Sequence, residues 1–158
     1  MERNKALIEV LNDLVRINND RIQGYDKAIR ETKPDNTELM QVLDRMKMES
    51  DQIKEELESA IVDLGGEVAD SSTTNSGKIY RTWMDLRTKL MGNSDHTILS
   101  LCEYGEDAAQ KAYQHALESD ATVDDIDIRM LIRKQKDTLK QAHDAIRDYR
   151  DAVKDSSH

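Results

Sequence analysis

Apolar residues in this chain recur at alternating steps of four and three, and this pattern constrains the fold more than any other feature. Such steps place side chains on one face of an α-helix, and their sustained alternation is typical of the seam between packed helices. The second of four such segments has it most fully, at Leu39, Leu43, Met46, Ser50, Ile53, Leu57, Ala60 and Leu64. The pattern predicts an all-α fold with helices over residues 3–31, 37–64, 94–118 and 123–154.

The short turns between these helices predict two antiparallel hairpins. Pro34 ends the first helix, and Asp35 followed by Glu38 has the spacing of a capping box for the second. Residues 3–64 should therefore form one hairpin, and residues 94–154 should form the other. Together they make a four-helix bundle.

The segment between the hairpins, residues 65–93, is too long for a tight turn. It suits a crossover along the bundle, which gives one domain over residues 1–158. Within it, residues 78–91 are expected to form a short amphipathic helix. Its apolar face consists of Ile79, Trp83, Leu86 and Leu90. That face either packs on its own bundle or forms an interface in a homo-oligomer, for which a dimer is the expected state.

Composition excludes several classes of protein. The net charge is −9, with acidic and basic residues mixed along the helices, so nucleic acid and anionic membranes are not expected partners. The N-terminal stretch has charges between its apolar residues, which predicts neither a signal peptide nor a membrane anchor. The only cysteine, Cys102, permits no intrachain disulfide, and we expect a cytoplasmic protein with Cys102 in its core.

The third predicted helix has one face of unusually small residues. Its positions are Ile98, Cys102, Gly105, Ala109, Ala112 and Ala116. Small residues let a second helix come close, and the polar side chains of Glu106, Gln110 and Tyr113 beside them need partners if they are buried. Arg21 on the first helix could pair with Glu106 across the bundle or extend to the surface, and the sequence leaves both open.

The two hairpins also align with each other. An offset of 88 residues places Asn18 on Glu106 and Tyr25 on Tyr113, and an offset of 89 aligns the seams of the other two helices. The nearly equal offsets predict two related hairpins.

Four stretches of the chain carry a resemblance to a known group of proteins: residues 19–29, 76–86, 102–113 and 141–151. The chain resembles ferritin-like four-helix bundles, and more closely an uncharacterised bacterial family within that superfamily. This resemblance implies a ferritin-like bundle of two antiparallel hairpins with a long crossover. It implies no particular function, because the family has none assigned.

The resemblance also implies where a di-iron site would lie. Ferritin-like di-iron proteins carry a Glu on each of two helices and a Glu-x-x-His pair on each of the other two, and the resemblance adds a Tyr seven residues after each single Glu. Here Glu106 with Tyr113 matches, whereas Asn18 with Tyr25 has an amide in place of the carboxylate. Counting height from the hairpin turns gives Asp51-x-x-Lys54 and Lys140-x-x-His143 for the remaining positions.

Charged lysines cannot ligate iron, so we expect a lapsed metal site filled by hydrogen bonds and ion pairs. The expected polar cluster contains Asn18, Tyr25, Asp51, Lys54, Glu106, Tyr113, Lys140 and His143. Within it, Glu106 should bond a lysine or a tyrosine. The alternative is a residual iron site on Glu106 and His143, with Asp51 as a further ligand.

Three interpretations of function follow. The favoured one is a non-catalytic bundle that acts by binding or self-association, with no cofactor and no catalytic residues, since no phosphate loop or nucleophile elbow is present. The second is an iron-binding or redox protein that uses the residual site. The third is a small-molecule binder with its ligand in a groove at Gly105, Ala109 and Ala112.

Overall fold

The computed structural model describes residues 2–68 and 95–156. These residues form helices α1 (Glu2–Glu31), α2 (Thr37–Asp63), α3 (Asp95–Glu118) and α4 (Ile126–Ser156). The described ranges contain no β-strand. The predicted all-α fold and its four long helices are therefore confirmed.

The largest boundary difference is at the start of α4, predicted at residue 123 and found at Ile126. Residues 119–125 form a turn instead, in which the Thr122 hydroxyl donates back to the Ala116 carbonyl oxygen at 2.7 Å. The side chain of Asp125 then accepts from the backbone N–H of Ile128 at 3.0 Å. This is an N-cap contact, which satisfies a backbone donor that the first helical turn leaves without a partner.

The N-cap of α2 differs from the predicted capping box. Asn36, rather than Asp35, caps the helix, because its side-chain oxygen accepts from the Leu39 N–H at 3.1 Å. Asn36 also donates to Asp95 at the start of α3. One side chain thus caps the second helix of the first hairpin and contacts the second hairpin.

At its other end, α2 stops at a glycine pair. Gly65 has φ 83°, a left-handed conformation that glycine adopts without strain. A Cβ on Gly66 would lie 2.7 Å from the Ile8 side chain, so glycine allows the chain leaving α2 to lie against α1. The Asn12 side chain holds it there by donating to the Glu67 carbonyl oxygen at 2.9 Å.

The helices pack as two hairpins around one core. The most extensive contacts join α1 to α2 and α3 to α4, followed by α1 to α3, whereas α2 and α4 make few. Cys102, Gly105 and Ala109 on the small face of α3 are buried, and Cys102 lies in the core as predicted. The protein is a four-helix bundle whose two hairpins meet mainly between α1 and α3.

None of the described helices is long and apolar enough to cross a membrane. The predicted crossover helix at residues 78–91, with Ile79, Trp83, Leu86 and Leu90, falls outside the described residues.

Candidate functional site

A buried ion pair joins α1 to α3 near the middle of α3. Arg21 donates from Nε to Oε1 of Glu106 at 2.6 Å and from Nη2 to Oε2 at 3.0 Å, and both side chains are fully buried. Such a two-pronged guanidinium–carboxylate contact is the strongest form of ion-pair hydrogen bonding. Of the two alternatives for Arg21, pairing with Glu106 is therefore the one observed.

Glu106 was predicted to bond a lysine or a tyrosine. This prediction was wrong, because the partner is Arg21. Arg21 lies on the apolar seam of α1 that faces the bundle interior, between the buried residues Ile17 and Tyr25. Its side chain is long enough to reach Glu106, and its planar fork matches both carboxylate oxygens, which a lysine ammonium cannot do.

Hydrogen bonds extend this ion pair along α1 and back to α3. Arg21 donates from Nη1 to the side-chain oxygen of Asn18 at 2.8 Å. Asn18 donates in turn to the Leu14 carbonyl oxygen and to Oη of Tyr113, both at 2.9 Å. Arg21 also lies over the ring of Tyr25, 6.0 Å from its centroid.

The chain of hydrogen bonds continues to the other two helices through Tyr113 and Gln135. The Tyr113 hydroxyl donates to the side-chain oxygen of Gln135 at 2.8 Å. The amide nitrogen of Gln135 donates to the Ile53 carbonyl oxygen at 3.2 Å and to Glu56 at 3.1 Å. Buried side chains therefore connect all four helices in one network, which runs from Glu106 inside to Glu56 at the surface.

Burial fixes the protonation states inside the network. Desolvation alone would lower the pKa of Arg21, but Glu106 and the neighbouring tyrosines leave this pKa above its ordinary value. Burial raises the pKa of the hydroxyls of Tyr25 and Tyr113 and of the Cys102 thiol. Near neutral pH the arginine stays charged while the tyrosines and the cysteine keep their protons, so Cys102 is not an activated nucleophile.

Four of the eight residues expected in the polar cluster lie together in the interior. These are Asn18, Tyr25, Glu106 and Tyr113, and all four are buried.

The other four expected residues, on α2 and α4, are placed differently, and this corrects the predicted cluster. Asp51 and Lys140 are exposed, and Lys140 pairs with Asp144 at 3.0 Å. Lys54 and His143 are half-buried. Asp51 and Lys140 each follow a buried seam residue, and one residue along a helix turns the side chain by about 100°.

The expected polar cluster did not include Arg21, Ser50 or Gln135, although the sequence left open that Arg21 pairs with Glu106. All three are buried, and the Ser50 hydroxyl donates to the Met46 carbonyl oxygen at 2.8 Å. Each is a polar residue at a seam position of an otherwise apolar helical face. A polar residue at a seam position was therefore the feature of the sequence that could have identified these buried polar side chains.

A second group of charged side chains lies between α3 and α4. Glu103, Asp107 and His143 each have an atom that could ligate a metal ion, and these three atoms all lie within 4.8 Å of one another. Nε2 of His143 is 2.9 Å from Asp107 and 3.9 Å from Glu103, and Nδ1 is 3.0 Å from Asp144. Among the described residues this is the only group of three such side chains this close together, so the predicted combination of Glu106, His143 and Asp51 is not formed.

Comparison with protein families decides the classification of the chain. Residues 6–119 match the family described as a domain of unknown function (DUF2383), which is more than half of the sequence. The chain belongs to the DUF2383 family. No curated protein matches it.

The DUF2383 match includes most of α1 and all of α2 and α3, and it ends before α4. Both partners of the buried ion pair therefore lie inside it, as do Glu103 and Asp107. Gln135 and His143, which complete the network and the second cluster, lie beyond it.

The small-residue face of this DUF2383 protein is filled by packing. Gly105 and Ala109 are buried, and Ala112 is half-buried against the core. A groove open to a ligand at these residues, as the third interpretation requires, is not present in the described part of the bundle.

Proposed function

We propose that this protein is a ferritin-like bundle without catalytic activity, which acts by binding or self-association. The Arg21–Glu106 pair would then occupy the position that holds a di-iron centre in ferritin-like proteins. The observation that carries this proposal is the guanidinium contact with both oxygens of Glu106 in a fully buried site.

The residues at this position do not fit a pair of iron ions. Both oxygens of the Glu106 carboxylate already accept hydrogen bonds from Arg21, which brings a permanent positive charge to the place where a metal would bind. An incoming divalent ion would have to displace the guanidinium and leave it buried beside another cation, which is electrostatically costly. The amide of Asn18 is also engaged, with Arg21 and Tyr113.

The contacts of the described residues speak against both alternatives. The iron-binding or redox interpretation needs a free Glu106 next to His143, but Glu106 is bound to Arg21 and His143 faces Glu103 and Asp107. The small-molecule interpretation needs an open groove at Gly105 and Ala109, which are buried.

Iron loading of metal-free protein tests the proposal. We expect no absorption of an oxo-bridged iron pair and no ferroxidase turnover, and Glu106→Gln should not change how much metal the protein retains. Two iron ions per chain that are lost in Glu106→Gln would overturn the proposal. Measuring Glu106→Gln in parallel separates iron in the bundle interior from metal bound elsewhere.

Self-association is the second part of the proposal, and an apolar patch at the start of α4 supports it. Ile126 and Met130, four residues apart on the helix, are 72% and 64% exposed, and Val123 beside them is 55% exposed. A second copy that covers this patch would remove apolar surface from water.

Native mass spectrometry over a range of protein concentrations measures the oligomeric state. We expect a dimer that Ile126→Lys with Met130→Lys dissociates. Val62→Lys is the control, because Val62 is similarly exposed but lies on α2. A monomer at every concentration would exclude self-association, and a dimer unaffected by the double variant would place the interface elsewhere.

A further inference from the structure

The cluster between α3 and α4 has the donor set of a metal site and lies outside the buried network. Glu103 and Asp107 are one helical turn apart on α3, and His143 faces them from α4. The side chains of Glu103 and His143 are each 17% exposed, whereas that of Asp107 is 54% exposed. Solvent can therefore reach the cluster from one side.

Both ring nitrogens of His143 face carboxylate oxygens. Nδ1 lies 3.0 Å from a carboxylate oxygen of Asp144, and Nε2 lies 2.9 Å from one of Asp107. A neutral imidazole carries a single N–H and can donate to only one of these oxygens. If Asp144 receives that hydrogen bond, the Nε2 lone pair faces the carboxylates of Asp107 and Glu103, and a cation between them turns this repulsion into coordination.

We propose that Glu103, Asp107 and His143 bind one divalent transition-metal ion. One imidazole and two carboxylates suit Zn²⁺ and similar ions, with water in the remaining coordination position. Four ligands arranged tetrahedrally at about 2.0–2.2 Å from one ion lie about 3.4 Å from one another. Nε2 of His143 lies 2.9 Å from Asp107 and 3.9 Å from Glu103, and the exposed Asp107 side chain can move to complete the site.

The surroundings of the cluster support the same assignment. Asp144 accepts a hydrogen bond from Lys140 and contacts Nδ1 of His143, the ring nitrogen that does not face Asp107 and Glu103. A carboxylate in this position orients a metal-binding histidine. Arg150 contacts Oε2 of Glu103, which leaves Oε1 toward His143. Lys140 and Arg147 pair with Asp144 rather than with the ligands. This site goes beyond the proposed function and does not depend on it.

Zinc titration of the metal-free, untagged full chain by calorimetry tests the site. We expect one ion per chain, with binding at least about tenfold weaker in His143→Ala and in Asp107→Asn. Asp144→Asn should weaken binding by about tenfold as well, because the histidine loses the carboxylate that orients it. Substitution with Co²⁺ should give a visible spectrum that disappears in His143→Ala.

The matched control is His115→Ala, since His115 is an exposed histidine on α3 outside the cluster. It should bind zinc as the wild type does. No zinc binding by the wild type, or equal losses in His115→Ala and His143→Ala, would overturn the proposal. Asp107→Asn keeps the test valid if His143→Ala fails to fold, because Asp107 is on the surface. Loss of zinc in Glu106→Gln with full binding in Asp107→Asn would instead place the metal in the bundle interior and contradict the proposed function.

Discussion

Helix α3 carries two glutamates that each pair with an arginine, and the two pairs differ in burial. Glu106 and Arg21 are both fully buried, whereas Glu103 and Arg150 are 17% and 24% exposed. The glutamates are three residues apart in sequence but lie on different sides of α3, one toward α1 and the other toward α4. The same two residue types therefore occupy two dielectric environments on one helix.

The two pairs therefore differ in what they can do: the buried pair can only stabilise the bundle, whereas the partly exposed pair can exchange partners. In the interior no water is available to solvate a charge whose partner is lost, so the Arg21–Glu106 pair must stay intact. At the α3–α4 edge water can replace either partner, so Glu103 or Arg150 can change partners without leaving an unsolvated charge. Burial, rather than residue type, distinguishes a pair that stabilises the bundle from one that lies at the metal site we propose.

Arg21→Met should have the largest effect of the variants considered. It removes the guanidinium and leaves the Glu106 carboxylate buried without its ion-pair partner, which should lower the free energy of unfolding by about 3–5 kcal/mol. Urea denaturation followed by circular dichroism measures the loss. The double variant Arg21→Met with Glu106→Leu should recover most of it, and no recovery would show that packing, not charge, sets the cost.

The two variants Glu106→Ala and Glu106→Gln should differ from each other. Both leave Arg21 without its counter-charge, but glutamine keeps a hydrogen-bond acceptor in reach, so alanine should cost about 1 kcal/mol more in unfolding free energy. The same denaturation experiment compares them. Equal and negligible losses would contradict the burial of Glu106.

Tyr113→Phe should have an intermediate effect. Phenylalanine keeps the ring in the core but removes the hydroxyl between Asn18 and Gln135, leaving two buried amide groups each with one partner fewer. A cost of about 1–2 kcal/mol is expected. Tyr104→Phe is the matched control because Tyr104 is 53% exposed, and its loss of stability should be negligible.

Arg150→Met should have the smallest effect. Water can solvate Glu103 when the guanidinium is removed, so the loss should be about 1 kcal/mol or less and should shrink as salt is added. Denaturation at low and high salt checks both points. A loss as large as that of Arg21→Met would remove the distinction between the two pairs.

The helices were predictable because burial repeats with the period of the helix. The seam residues named from the sequence of α2, from Leu39 to Leu57, include Leu43, Met46 and Ile53, and all of these are buried. Boundaries were less certain, because a cap depends on local hydrogen bonds. Asn36 and Asp35 are equally suited to capping by residue type, and only backbone geometry favours Asn36.

Half of the residues expected in the polar cluster lie in the interior, and the other half do not. The difference comes from the direction in which each side chain points around its helix axis. On α1 and α3 the residues implied by the resemblance also lie on the faces with helical periodicity, and Asn18, Tyr25, Glu106 and Tyr113 are buried as expected. On α2 and α4 they were chosen by height along the bundle, which fixes the level of a residue but not the direction of its side chain. Ser50 and Gln135 lie at seam positions of these two helices and are buried, but the expected cluster was not chosen from the seam there.

The pairing of Arg21 with Glu106 also bears on how long the native state lasts. The two residues are 85 positions apart, whereas the most extensive helix contacts, α1 with α2 and α3 with α4, join helices that follow one another in the sequence. Contacts that close large loops tend to form late in folding. Loss of this pair should therefore speed unfolding and leave the folding rate nearly unchanged, as stopped-flow measurements on Arg21→Met can show. The buried pair then sets the lifetime of the native bundle rather than the speed of its formation.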